Sequence, residues 1–492
     1  MVAVLEFVKK NKFLLGLFIL STAFFLYQHH ANLSWDFSSY VENAKYFLNQ
    51  GSYYEHYRPP LMPVIISTLS IFSWQLAEYL YIIIVVVLFL YSSIRFAKAA
   101  NINKELFYLF SLSPYVLIYG LINGTELLSL ALLQLFLAFA FEKKVYSGLF
   151  LGLASLARYN FLTFIPLLLL SKNIKKILQN IFLFGLSFVP WFLYNFYSTG
   201  NLFTAIVDGY AFNFKYRDYI VQQVNYLHIL AVVFTLLPVF IFGVCAILIK
   251  VRKDLEKNKH IIMFVVALLA IYSYYITPFK DIRYIFPLVL PVSYFAVIGI
   301  SKIREKSKQA FKILIIAVIL LNIFTIIYID YNSMYEKKDK YKAAIEVTKN
   351  LGIDNCRTLS NSWVFLNYLG KISEPYPRKE LTLKNLDEGN FLLLFYPIEE
   401  PDWAKDKTFI QQLPVIHKEN DFTIFGVMKK CNKIQKVDQT QISRIYNYVF
   451  FTYNISINTN PCFVMFEKNS ILEKSCNFLN FKGFNLDTNR ES

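Results

Sequence analysis

Between Asn11 and Asp330 the chain returns again and again to apolar runs of about 15 to 23 residues, and after Tyr331 it stops doing so. A helix needs about 20 residues to cross roughly 30 Å of hydrocarbon. Every backbone polar group inside a bilayer must be satisfied within its own segment, so a chain written this way folds as a set of spanning helices. Composition agrees: of 492 residues 56% are hydrophobic and only 17% charged, too little polar surface to coat a soluble protein of this size.

The net charge of +16 raises the question of nucleic acid. Its placement answers it, because the cations punctuate the apolar runs. Lys9, Lys10 and Lys12 precede the first; Arg95, Lys98 and Lys104 share one connection; Lys143 and Lys144, then Lys172, Lys175 and Lys176, occupy others. Lys250 to Lys259 and Lys302 to Lys312 complete the set. Short loops rich in Lys and Arg stay cytoplasmic, so the pattern reports topology and no nucleic-acid surface is expected. It predicts helices near 11–27, 76–97, 105–122, 125–142, 177–197, 227–249, 260–277, 283–300 and 311–329, with 61–74 as a partly inserted helix. The stretch "YSGLFLGLASLARYNFLTFIPLLLLSK" predicts a hairpin of two short helices with Arg158 at its outer tip. About eleven crossings put the N-terminus in the cytoplasm and everything after Tyr331 outside. The first run has no small-residue cleavage site and reads as an anchor.

Carboxylates and guanidinium groups then gather in the outer connections, which suggests a cavity at that membrane face. The first connection, "SWDFSSYVENAKYFLNQGSYYEHYRPPLMPVIIS", holds Asp36, Glu55, His56 and Arg58. "NGTE" holds Glu126, the hairpin tip holds Arg158, and "TPFKDIRY" holds Lys280, Asp281 and Arg283. A long loop, "STGNLFTAIVDGYAFNFKYRDYIVQQVNYLH", lies on the same side. Each acid also has a plainer reading. Asp36 could cap its helix, and Glu126 could sit in the first turn of its own, where the helix dipole favours an anion. Arg158 resists one, because an arginine midway along an apolar stretch costs a few kcal/mol unless it reaches water, a headgroup or an anion.

Taken in order, "WDFSSY", "GSYYEHYRPPLMP", "GTELLSLALLQLFLAFA", "GLFLGLASLARYNFLTFIPLLLL", "PWFLYNFYSTGNLF" and "PFKDIRYIFPLVLP" resemble the GT-C polytopic glycosyltransferases. The branch they are most similar to is that of the protein O-mannosyltransferases and the lipid A aminoarabinose transferase. The resemblance implies a mainly α membrane protein with a GT-C type domain over 1–330, followed by a small extracytoplasmic α/β or α+β domain over 336–492. It implies transfer of a sugar, mannose among the candidates, from a polyprenyl- or dolichyl-phosphate carrier to an extracytoplasmic hydroxyl on a protein, glycan or lipid, by an inverting displacement. It favours a prokaryotic cell membrane over the endoplasmic reticulum.

On that resemblance Asp36 is the catalytic base and Glu126 a second acid. Arg58, Arg158, Lys280 and Arg283 face the lipid phosphate, and Glu55 and His56 are candidates for metal or acceptor contact. The first acid stands alone where some members carry an acidic pair, so no cofactor follows and a divalent metal is left open. The "WWDYG" of the oligosaccharyltransferases is absent. The chemistry fits these residue types. A carboxylate in hydrogen-bond reach can take the acceptor's proton as attack develops, and cations balance the charge growing on the leaving phosphate. The competing class is a transporter or scramblase of lipid-linked sugars, where intramembrane charge and broken helices are also natural. The acids cluster at one face instead of the midplane, and no internal repeat is evident, which favours the transferase.

In the tail, "NFLLLFYPI", "FTIFGVM", "YVFFTYNISI" and "CFVMFE" alternate with polar turns as strands of a small domain would. His417 is solitary and reads as a surface residue. Cys356, Cys431, Cys462 and Cys476 form an even set in what is expected to be an oxidising compartment, with three pairings open. Sequons at Asn32, Asn123 and Asn454 are expected outside.

Overall fold

The computed structural model describes residues 11–427, apart from 172, 201, 215–222, 251–257, 278–279, 332–335 and 399–400, together with Lys474. "YVFFTYNISI", "CFVMFE", Asn454, Cys431, Cys462 and Cys476 lie outside the described residues. The chain divides into two compact units. Of the described residues, one takes in 11–29 and 59–331; the other takes in His30–Arg58 and 336–427.

The first unit is helical, and the chain is an integral membrane protein. Among the described residues seven helices are long and apolar enough to cross a membrane: Lys12–Ala31, Trp74–Ala100, Ile174–Ser198, Tyr226–Ile247, Lys259–Ile276, Ile282–Lys306 and Lys308–Tyr328. Shorter apolar helices cover Glu126–Phe141, Ser147–Ala157 and Tyr159–Leu170. The sequence pattern led to about eleven crossings, and the local reasons for the smaller number of long helices are visible. The predicted span near 105–122 is two short helices, Lys104–Ser111 and Pro114–Tyr119, because Pro114 has no N–H and starts a new helix. The predicted hairpin has an α-helical arm, Ser147–Ala157, and a 3-10 arm, Tyr159–Leu170, that contains Pro166. At about 2 Å rise per residue the 3-10 arm is the longer reach of the two. Part of the connection expected to be loop is a helix, Thr204–Phe214.

Helix ends follow the capping rules. Ser73, Asn103 and Asn173 accept backbone N–H bonds at the starts of Trp74–Ala100, Lys104–Ser111 and Ile174–Thr199, and Asn101 closes Trp74–Ala100 in the left-handed conformation. The helix Glu126–Phe141 is buried almost all round, packing against Trp74–Ala100 and Ser147–Ala157. Its Gln134 accepts hydrogen bonds from Ser92 at 2.7 Å and Ser93 at 3.1 Å. In hydrocarbon, where hydrophobic attraction between helices vanishes, such bonds and close backbone packing hold helices together. Gly243 and Gly299 let two backbones approach closely: a Cβ on either would lie 1.9 or 2.0 Å from a carbonyl oxygen of the opposite helix. At the periphery, Ile313, Ile316, Leu320, Ile323, Phe324 and Ile327 of Lys308–Tyr331 are exposed, the face such a helix turns to lipid.

The second unit is mixed α/β. Strands β3 (Thr358–Ser360), β4 (Ser373–Pro375), β5 (Phe391–Phe395), β6 (Val415–Lys418) and β7 (Phe422–Phe425) form one sheet in the order β4-β3-β5-β7-β6. The β4-β3-β5 part is parallel and the β5-β7-β6 part antiparallel. Helices Trp363–Tyr368 and Lys379–Asp387 fall in the crossovers of the parallel part. β5, "FLLLF", is buried throughout, as a central strand covered on both faces must be. Its alternation splits the core: Phe391, Leu393 and Phe395 join Tyr341, Phe365 and Phe422 on one face, and Leu392 and Leu394 join Leu359, Leu386 and Phe425 on the other.

The segment that follows the first membrane helix belongs to this same unit. β1 (Asn32–Leu33) pairs antiparallel with β2 (Glu336–Lys337), and Leu33 is buried with Tyr341, Phe365 and Phe422. Helix Trp35–Phe47 packs on helix Trp363–Tyr368. Cys356 is disulfide-bonded, while Cys245 is free.

Candidate functional site

Asp36, Glu55, His56 and Arg58 belong to the α/β unit, and the fold of its first segment explains how they meet. Helix Trp35–Phe47 presents Asp36, Ser39, Tyr40 and Asn43 at the i, i+3, i+4, i+7 spacing of one face. Asn49 in the left-handed region ends it, and the chain turns back along that face. Asn43 pins the returning chain through both of its amide atoms: its Nδ2 donates to the Glu55 carbonyl at 3.0 Å and its Oδ1 accepts from the Glu55 N–H at 2.8 Å.

Glu55 is thereby fixed beneath Arg58. Its carboxylate is almost fully buried and accepts from Ser39 Oγ at 3.0 Å, from Tyr57 Oη at 3.2 Å and from Arg58 Nε. Those are the partners of a hydrogen-bonded counter-ion to Arg58. Tyr53 Oη donates to Ser39 Oγ at 3.3 Å and extends the network. Arg58 spends Nη1 on Asp36 Oδ1 at 2.9 Å and lies over the rings of Tyr40 and Tyr57. Burial works against the guanidinium charge, but Glu55 and Asp36 outweigh it and hold the Arg58 pKa well above its ordinary value. The Tyr53 hydroxyl is pushed up by burial, with the Glu55 and Glu42 charges adding to it.

Exposure separates the three charged members. The Asp36 side chain is 26% exposed, Arg58 11% and Glu55 2%. Asp36 occupies the first turn of the helix while Ser34 stands at the N-cap, so it is not serving as the cap. His56 is buried with its ring edge-on to Tyr57.

Glu126, Arg158, Asp281 and Arg283 form a second cluster, in the helical unit. Glu126 is the first residue of its helix, fully buried, where the helix N-terminus favours an anion. It accepts from Arg158 Nη1, and Arg283 Nη1 stands 3.9 Å away. Arg158 also reaches Thr125 Oγ1 at 3.4 Å and lies over the Tyr284 ring. It sits where the α-helical arm of the hairpin ends and the 3-10 arm begins. Asp281 is the N-cap of the turn Ile282–Leu288 and receives Arg283 through Nε at 2.8 Å and Nη2 at 2.6 Å. Two carboxylates and two guanidiniums balance, so the cluster is neutral when nothing else is bound.

Lys280, grouped by sequence with the phosphate-facing cations, has a different set of partners. Its ammonium donates to the carbonyls of Tyr274 at 3.3 Å, Tyr275 at 2.7 Å and Thr277, the unsatisfied acceptors at the end of helix Asn258–Ile276. His417 pairs with Glu419 at 3.0 Å on β6, and no group of three or more His, Cys, Asp or Glu that could hold a metal occurs among the described residues. Sequence reasoning passed over Ser39, Asn43 and Trp363. The helical spacing of Ser39 and Asn43 from Asp36 was the available signal for the first two.

No family model matches the chain, and no curated protein matches it. Among solved structures it is similar to ArnT from Cupriavidus metallidurans bound to undecaprenyl phosphate, with a TM-score of 0.61 and 10% identity. That alignment covers 85% of this chain and 98% of the other. The apo form of ArnT from the same organism aligns at a TM-score of 0.42 and 12% identity, over 86% of this chain and 98% of the other. The chain therefore shares the fold of ArnT.

Proposed function

We propose that this protein is a membrane glycosyltransferase that moves a sugar from a polyprenyl-phosphate carrier to a hydroxyl on an acceptor outside the cytoplasm, inverting the anomeric centre in one displacement. The observation that carries the reading is the exposure of Asp36. In a network whose other carboxylate is buried and takes three donors, Asp36 is the acid an incoming hydroxyl can reach. Asp36 acts as the base. Arg58, held between Asp36 and Glu55, orients that base. Arg158, with Arg283 behind it, receives the lipid phosphate and stabilises its growing charge as the glycosidic bond breaks. Glu126 is the buried anion that aims Arg158.

The ArnT crystal structure with undecaprenyl phosphate supports the carrier class, since this chain shares that fold. The sidedness that puts 30–58 and the tail outside rests on the lysine-rich loops. Mannose on protein Ser or Thr and a sugar on another glycan or lipid would use the same base and clamp.

The test is to incubate purified protein with a panel of polyprenyl-phosphate sugars and candidate acceptors, following release of lipid phosphate. Wild type should turn over at least one donor. Asp36→Asn should bind that donor and fail to transfer, because the amide keeps the shape and loses the basicity. Near wild-type turnover in Asp36→Asn would remove the base assignment.

A further inference from the structure

The residues on either side of Asp36 are core residues of the α/β unit. Leu33 is buried against Tyr341, Phe365 and Phe422. Trp35 stands edge-on to Trp363 at 5.8 Å and to Phe365 at 5.7 Å between ring centroids. Tyr53, on the returning chain, meets the same Trp363 at 4.7 Å. Both ends of the acid-bearing segment are thus clamped by one indole, and Trp363 itself is buried with Tyr53 and Val364. Lys45 Nζ to the Tyr368 carbonyl at 3.4 Å and Lys337 Nζ to Asn32 Oδ1 at 3.0 Å tie the edges of the segment to the same unit.

From this clamp a continuous line of contacts runs to the acid. Trp363 packs on Tyr53, Tyr53 Oη donates to Ser39 Oγ, Ser39 Oγ donates to Glu55, and Glu55 and Asp36 share Arg58. A hydroxyl as short-lived in position as an acceptor's gains from a base held within a few tenths of an ångström, and misplacement by about 1 Å can cost a hundredfold in rate. The geometry points to a role for Trp363 beyond core packing: we propose that it is a positioning residue for the base, so that helix Trp363–Tyr368 of the α/β unit is part of the transfer machinery. This rests on Asp36 being the base.

The experiment compares Trp363→Ala, Trp363→Phe, Tyr53→Phe and the double variant Trp363→Ala/Tyr53→Phe in the full-length protein, with Asp36→Asn run beside them. A polyprenyl-phosphate sugar that wild type turns over is the donor. Trp363→Ala should lower kcat by about tenfold or more with donor KM unchanged, and Trp363→Phe, which keeps a ring against Trp35 and Tyr53, should recover most of it. Tyr53→Phe deletes one hydroxyl and leaves the ring, so it keeps the fold and tests the line directly even where Trp363→Ala does not fold. It should lower kcat by a few-fold at constant donor KM. The double variant should be no worse than Trp363→Ala alone, because residues on one line do not act additively.

Normal kcat in Tyr53→Phe and in folded Trp363→Ala, with Asp36→Asn inactive, would overturn the positioning role and leave the base assignment standing. Additive losses in the double variant would overturn it as well. Full turnover in Asp36→Asn would remove the base and the positioning role together, and is told apart by that variant alone.

Discussion

Arg58 donates from Nη1 to Asp36 at 2.9 Å and from Nε to Glu55, so a single guanidinium is shared between a partly exposed carboxylate and a buried one. That sharing needs a planar fork, which a lysine lacks. The sequence resemblance placed Arg58 among cations facing the lipid phosphate, and the two roles differ in what they do to kinetics. An orienting role predicts that Arg58→Lys lowers kcat about ten- to a hundredfold with little change in donor KM. A phosphate role predicts that donor KM rises. Initial rates across donor concentrations decide between them.

Some of this arrangement was open to sequence reasoning. Asp36 stands just past an apolar helix, and Ser39, Tyr40 and Asn43 follow it at helical spacing, so a polar face was readable. β5 was readable from "FLLLF", where a short apolar run bounded by turns marks a buried strand. The Trp35–Trp363 contact was not, because local periodicity says nothing about which distant aromatic a tryptophan will meet. The partners of Lys280 were not legible for a related reason: beside "DIR" it reads as a cation of the outer loop, and only the position of the preceding helix end brings carbonyls to its ammonium. The broken span near 105–122 had a signal in Pro114, outweighed by the apolar residues on either side of it.

Sidedness can be read with an impermeant thiol reagent on intact cells. Asp402, 91% exposed, and Glu305, 62% exposed, make clean positions for single cysteines in a background whose five native cysteines are replaced by serine. Asp402→Cys should label in intact cells and Glu305→Cys only after permeabilisation, since Glu305 lies among Lys302, Arg304, Lys306 and Lys308. Labelling of Glu305→Cys from outside would reverse the topology and with it the side on which Asp36 works.

The Gly243–Gly299 crossing makes a stability prediction that is independent of function. A valine at 299 would put Cβ 2.0 Å from the Val239 carbonyl and 2.7 Å from the Gly243 nitrogen, both backbone atoms that cannot swing aside. Overpacking of this kind costs about 1–3 kcal/mol and often more. Gly299→Val should lower the thermal midpoint in detergent by several degrees. Gly185→Ala, where no atom lies within 4 Å of the added carbon, should leave it unchanged or slightly raised.

Arg158 and Lys280 offer the sharpest contrast between a ligand-facing cation and a structural one. Arg158 is held by Glu126, but its partners leave the cluster neutral, so an arriving phosphate would bring the extra negative charge that the two guanidiniums can share. A lysine at 158 keeps the charge and loses the second donor of the fork, and such a loss bears on the leaving group more in the transition state than in the bound donor. Arg158→Lys should therefore raise donor KM a few-fold and lower kcat by about tenfold or more. Lys280→Met should do neither, because its ammonium is spent on the carbonyls of Tyr274, Tyr275 and Thr277; it should instead lower the thermal midpoint as those acceptors lose their donor. Kinetics over a range of lipid-phosphate sugar concentrations, with melting curves on the same samples, separate the two. Normal kcat and KM in Arg158→Lys would move the phosphate away from this cluster, and a raised donor KM in Lys280→Met would return that lysine to the donor site.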